Sequence, residues 1–397
     1  MENPDKDKTT KEPADLRGPR NNAMKRLSGL LFLISLVPVS AHAHHGFGRF
    51  DMNGNIELTG ILTDIKFVNP HSYVYFNVAL ADGSVREMGC EMRAATVLRR
   101  SGWSRELFVT GSQITITGRP HRDDPTSCYV ETLAIGEARP MERYQQLSEN
   151  SARQADRPMR RPDGHPNLSG DWAQEQYLIA SLPDGGSAGL VPKSMVAAIE
   201  AGERNPADAP NPGWGPRPVT LTSSGEAAAT VLRNAPPESN PRVTCEITNI
   251  LFDWVFDGPI NRITQNDDQL IMEYGRDLTR TVYMNMDHHP EGLTPSRGGH
   301  STGRWEGDTL VVDTTGFLPG RMAGDVPHSE ALHVVERFTL GTDSLNRLVL
   351  NRNFAADDAL YFKDQYRGAD TVLPADAPFA IDQCKELAFE YTTGAGK

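Results

Sequence analysis

Five of the chain's eleven histidines lie between His288 and His333, interleaved with carboxylates: His288, His289, His300, Glu306, Asp308, Asp313, His328, Glu330, His333 and Glu336. Imidazoles that titrate near neutrality beside carboxylates are the side chains general acid–base catalysis uses. Within this run, His300, Glu306, Asp308, His328, Glu330 and His333 are the candidate acid–base residues, with His328, Glu330 and His333 able to pair carboxylate and imidazole at a barrel mouth. Ser301 and Ser329 each follow a histidine. Adjacent residues on a strand face opposite sides, so neither is read as a nucleophile. A blander reading stands beside this one. Trp305-Glu306-Gly307-Asp308 also fits a hairpin turn, and His328-Ser329-Glu330 also fits a cap or loop anchor.

A second constellation is His44, His45 and His71. A histidine at a processed N-terminus offers an α-amine and a ring nitrogen to one ion, and a further imidazole would complete a nitrogen set that suits copper. The competing reading makes His44 and His45 a solvated chain start and His71 a turn cap.

That processed terminus is itself an expectation. Met24-Lys25-Arg26, the apolar run Leu27 to Val39, and Ala41 and Ala43 at −3 and −1 form a secretory signal peptide with Met24 as start and cleavage after Ala43. The remaining 354 residues carry 33 basic against 47 acidic side chains. Such an acidic chain, without a Lys/Arg-rich run, argues against nucleic acid or anionic lipid as partner. No second apolar segment reaches spanning length, so the exported protein is expected in the periplasm or medium with no membrane span. Cys90, Cys128, Cys245 and Cys384 make an even set for an oxidising compartment. The pairing read here is Cys90–Cys128 and Cys245–Cys384, one of three connectivities, with buried free thiols as the competing reading. Nucleotide-loop, zincin, EF-hand and CxxC spacings are absent from the sequence.

The elements that must position these groups are mostly strands. Leu58–Ile65, Ser72–Val78, Val85–Met92, Gln113–Gly118 and Tyr129–Ile135, with a helix over Ala94–Ser101 stopped by Gly102, have the element order of an OB-like five-stranded barrel. Residues 137–166 lose apolar periodicity and read as a linker between a domain at 44–136 and a second at 167–397. In the second, Ile260–Gln265, Gln269–Tyr274, Leu278–Met284, His300–Trp305, Thr309–Thr314, His333–Thr339 and Leu345–Asn353 succeed one another across tight turns, with Tyr361–Tyr366 and Glu386–Tyr391 following. That succession predicts an antiparallel up-and-down, lipocalin-like barrel or half-barrel.

Two passages carry resemblances. His44-His45, Asn69-Pro70-His71-Ser72 and Arg99-Arg100-Ser101-Gly102-Trp103 resemble a secreted bacterial domain family of unknown function, over about residues 44–136. Trp305-Glu306-Gly307-Asp308-Thr309-Leu310-Val311-Val312-Asp313-Thr314 and His328-Ser329-Glu330 are similar to uncharacterised secreted bacterial proteins. Ser169-Gly170-Asp171-Trp172 also resembles the Gly-x-Trp start of lipocalins. These resemblances imply export and supply no mechanism. The function expected first is binding of a small hydrophobic ligand in the C-terminal barrel, with copper at the N-terminus. The alternative is an enzyme without an organic cofactor, an isomerase, hydratase or hydrolase, working through the His/Glu/Asp residues. A third reading is a structural envelope component.

Overall fold

The computed structural model describes residues 47–381, apart from 69–70, 144, 146, 148–156, 185, 214–216, 237–238 and 245. The protein is mostly β, built from two closed barrels.

The first barrel comprises β1 (Ile56–Lys66), β2 (Tyr73–Ala79), β3 (Val85–Glu91), helix α1 (Ala95–Arg100), β4 (Gln113–Pro120) and β5 (Ser127–Ile135), with a short β6 (Met141–Glu142) added to β5. β1 pairs antiparallel with both β2 and β4, and β3 closes the barrel by pairing parallel with β5. This is the five-stranded order expected from sequence. Cys90 and Cys128 are direct partners in the closing register and form a disulfide, so a covalent bond pins the seam. The pairing of Cys245 with Cys384 lies outside the described residues. Tight curling needs close strand approach: a Cβ on Gly118 would stand 2.1 Å from the Tyr129 carbonyl oxygen. Leu62, Val74, Phe76, Met88, Ile114, Ile116 and Val130 fill the interior, and Leu98 of α1 packs onto them. Gly102, at φ +84°, terminates that helix.

The second barrel is larger. It runs β10 (Ile260–Gln265), β11 (Gln269–Tyr274), β12 (Leu278–Tyr283), β13 (His300–Glu306), β14 (Thr309–Thr315), β17 (Leu332–Thr342), β18 (Leu348–Asp358) and β19 (Tyr366–Pro374), and β7 (Gly170–Ala173) bridges β19 to β10. A ribbon of β8 (Tyr177–Ser181) and β9 (Ser187–Pro192) with α2 (Lys193–Glu200), helix α3 (Ser223–Asn234), and a second ribbon of β15 (Gly320–Ala323) and β16 (Val326–His328) lie outside the barrel order. Neighbouring barrel strands are antiparallel except β12 and β13, which the long connection at 284–299 brings together parallel. The last expected strands differ. Tyr361 lies in a turn, the strand begins only at Tyr366, and the segment at 386–391 is outside the described residues.

The interior of this barrel is packed with its own chain. Ile250, Leu251, Trp254 and Val255 pack among Trp172, Leu270, Leu310, Phe338 and Leu350. Two of their carbonyl groups are held by a buried cation: Arg352 donates to Ile250 O at 3.1 Å and Leu251 O at 2.8 Å, and to Glu336 and Asp370. Arg280 adds Glu336 at 2.5 Å, Ser301 Oγ at 2.8 Å and Thr314 Oγ1 at 2.7 Å. Two guanidiniums and two carboxylates thus neutralise one another where an unpaired charge would be prohibitive. The void beside Leu251, Val255, Phe354 and Asp370 measures about 10 Å³, room for about one water. A lipocalin's chamber is here taken by the segment around Trp254.

The described residues form one compact unit. Arg100 of α1, nearly buried, reaches from the first barrel to Asp376 at 2.5 Å, Gln174 O at 2.8 Å and Gly258 O at 3.2 Å. Arg160 pairs with Asp308 at 2.7 Å and Arg161 with Asp267, so the end of the 137–166 segment is fastened to the second barrel. No helix among the described residues is long and apolar enough to cross a membrane.

Candidate functional site

On β14, Leu310, Val312 and Thr314 point inward and are buried, so the period of two sends Asp313 outward. Asp313 lies opposite Thr302 on β13 and Val335 on β17, and His333, two residues before Val335, shares that outer face. His300 opens β13, its ring stacked on Tyr283 at 5.2 Å. His289 comes from the 284–299 connection laid over the same wall. The four side chains form one hydrogen-bonded chain. His333 Nε2 meets Asp313 Oδ1 at 2.9 Å, His289 Nε2 meets the same oxygen at 3.0 Å, and His289 Nδ1 meets His300 Nδ1 at 2.8 Å.

The proton positions follow from this geometry. A carboxylate oxygen only accepts, so both Nε2 atoms donate to Asp313. His289 Nδ1 then accepts from His300 Nδ1, unless His289 is cationic, in which case the direction reverses. The hydrogen bond from His333 holds the Asp313 carboxyl below its usual range, against burial and with help from His289. The same bond raises the pKa of His333. Burial, reinforced by His289, lowers that of His300. The two ends of the chain therefore differ in proton affinity, the separation that acid and base roles require. Among the described residues, His333 Nδ1 and His300 Nε2 have no hydrogen-bond partner, and both rings are only partly buried.

Of the six acid–base candidates, the structure joins His300 and His333 through His289 and Asp313. It does not bring the other four to them. Glu306 ends the strand that His300 begins, about 20 Å away at strand rise, where it accepts from Arg304 at 2.8 Å and from Arg337. Asp308, in the hairpin turn, is paired with Arg160. His328 is buried on β16 with Nδ1 directed at Ser329 O, 3.3 Å away, and burial lowers its pKa. Glu330 is exposed beside it. Ser329 Oγ donates to the Asp358 carboxylate at 2.8 Å, so its proton is directed to that carboxylate and not to a histidine.

Gly299-His300-Ser301-Thr302-Gly303 has the spacing of a nucleophile elbow, which the strand argument passes over. Ser301 is nevertheless fully buried inside β13 with Oγ on Arg280 and Thr314, not exposed at a strand-to-helix turn. Ser187, in a second run of that spacing, lies within β9.

Of the proposed metal set, His44 and His45 lie outside the described residues. His71 directs Nδ1 at Glu91, 2.8 Å away. Burial draws the His71 pKa down, but the hydrogen bond and charge of Glu91, with Asp257, raise it overall. It lines a cleft of about 120 Å³ with Met92, Val97, Tyr129, Tyr177 and Leu190, between the first barrel and the β8–β9 ribbon. Among the described residues no group of three or more His, Cys, Asp or Glu side chains is placed to hold a metal ion.

Residues 32–129 match a family model described as a family of unknown function (DUF6152), a stretch that covers the first barrel into the start of β5. Among curated proteins, none matches the chain. That match lies on the first barrel, while the histidine–aspartate chain stands on the second.

Proposed function

We propose that this is an exported acid–base enzyme whose working groups are His289, His300, Asp313 and His333 on the outer wall of the nine-stranded barrel. One observation carries the reading: a single carboxylate oxygen held by two imidazoles, the first of which is joined to a third. Hydrolysis, hydration and isomerisation each remove a proton at one atom and return one at another. His333, whose proton affinity Asp313 raises, is suited to give a proton, and His300, whose proton affinity burial lowers, is its opposite end. Asp313 and His289 connect them. Export is supported by the signal-like sequence at 24–43 and by the Cys90–Cys128 disulfide. The packed interior around Trp254 favours this reading over a hydrophobic ligand held inside the barrel.

The test is turnover of p-nitrophenyl esters of short acids, together with deuterium uptake from D₂O into enolisable ketones. Activity that falls about 100-fold or more in Asp313→Asn and His333→Gln, and survives in Glu306→Gln, supports the site. No turnover in either assay, or turnover indifferent to both variants, removes it.

A further inference from the structure

The first barrel is closed at one end only. Where β1 ends, α1 covers the barrel, with Ala95 N–H donating to Val68 O and Leu98 in the core. At the other end, Ile56, Leu58, Val78, Leu80 and Met88 line a cavity of about 210 Å³ that opens to solvent. Arg86 stands at its rim. It shares a face of β3 with Met88 and Cys90, both core residues, and lies opposite Val78 on β2. Its side chain is exposed and makes no hydrogen bond or ion pair to any described residue, although its charge is felt by Asp82. The far rim is a firm loop, in which His121 Nδ1 accepts from the N–H groups of Asp123 and Asp124.

An apolar pocket with the Arg86 cation at its lip, and on the far rim the Asp124 carboxylate already engaged by the Thr126 N–H and Oγ1, selects by chemistry in a chain of net charge −12. The surface as a whole repels anions, so an acid is retained only where a tail can be buried and the head neutralised. We propose that this mouth binds a small monocarboxylate with an aliphatic tail, the tail against Leu58, Val78 and Met88 and the carboxylate on Arg86. The volume is small for a ligand pocket, which limits the tail to a short or medium chain. This site is independent of the histidine–aspartate chain.

The experiment is an NMR titration of the methyl groups of the full exported chain with octanoate, octanol and octylammonium in parallel. Octanoate should perturb Leu58, Val78 and Met88 saturably and bind more tightly than octanol. Arg86→Ala should weaken octanoate about tenfold, Arg86→Lys should keep most of the affinity, and Arg86→Glu should shift preference to octylammonium. Equal binding of all three probes, perturbation elsewhere on the protein, or an Arg86→Glu variant that binds octanoate as before would overturn the proposal.

Discussion

The Nε2 atom of His333 lies 2.9 Å from Oδ1 of Asp313, with both side chains on the outer face of adjacent strands. The bond raises the histidine's pKa and lowers the aspartate's. The histidine's share of stability is therefore complete below its unfolded pKa of about 6.5 and is lost as pH rises through the raised value. The aspartate's share is complete above about 4 and is lost as pH falls through the lowered value. Asp313→Asn should cost most between these limits, under about 1 kcal/mol because both groups are partly exposed. Urea denaturation at pH 5.5 and pH 9 checks it: the gap between wild type and variant should narrow at the higher pH.

Inside the same barrel the stakes are larger. Glu336 is fully buried and takes Arg280 at 2.5 Å and Arg352 at 3.1 Å. Glu336→Gln leaves two guanidiniums short of a counter-charge, and the expected loss is about 3–5 kcal/mol. Glu306→Gln, which breaks an exposed cluster, should cost less than about 1 kcal/mol. Similar midpoints for the two variants would show that the network around Trp254 does not hold the barrel.

The disulfide closes a loop with a sequence separation of 38 residues across the parallel seam of the first barrel. Chain-entropy arithmetic for a loop of that size gives about 4 kcal/mol. Replacing Cys90 and Cys128 together by alanine should lower the melting temperature by many degrees, and reductant should then have little further effect. A double variant that melts with the oxidised wild type would place the stability of the seam in its packing alone.

Much of the strand layout is legible in the sequence. Alternation and turn signals place Ile260–Gln265 and Gln269–Tyr274 at their observed bounds, and the order of five strands and one helix suffices to recognise the first barrel. Two things are not legible. The apolar residues Ile250, Leu251, Trp254 and Val255 recur at a spacing of four, yet the segment forms turns that plug the barrel, and the partner that fixes it there, Arg352, is about a hundred residues away. The site is only partly visible for the same reason. His300 and His333 stand out by type, yet what joins them is Asp313, one polar residue within Leu310-Val311-Val312-Asp313-Thr314, and His289 from a long connection. Strand register decides that Asp313 meets His333 while Glu306 is carried to the far end of the strand. A local pattern does not encode that register.

The most direct measurement is the NMR titration of the histidine rings in wild type and in Asp313→Asn. If the four side chains act as one acid–base unit, His333 titrates above and His300 below the ordinary value of about 6.5. In Asp313→Asn, His333 should then fall back toward that value and the His300 curve should change with it. Independent titrations near the ordinary value, unmoved by the substitution, would contradict the account.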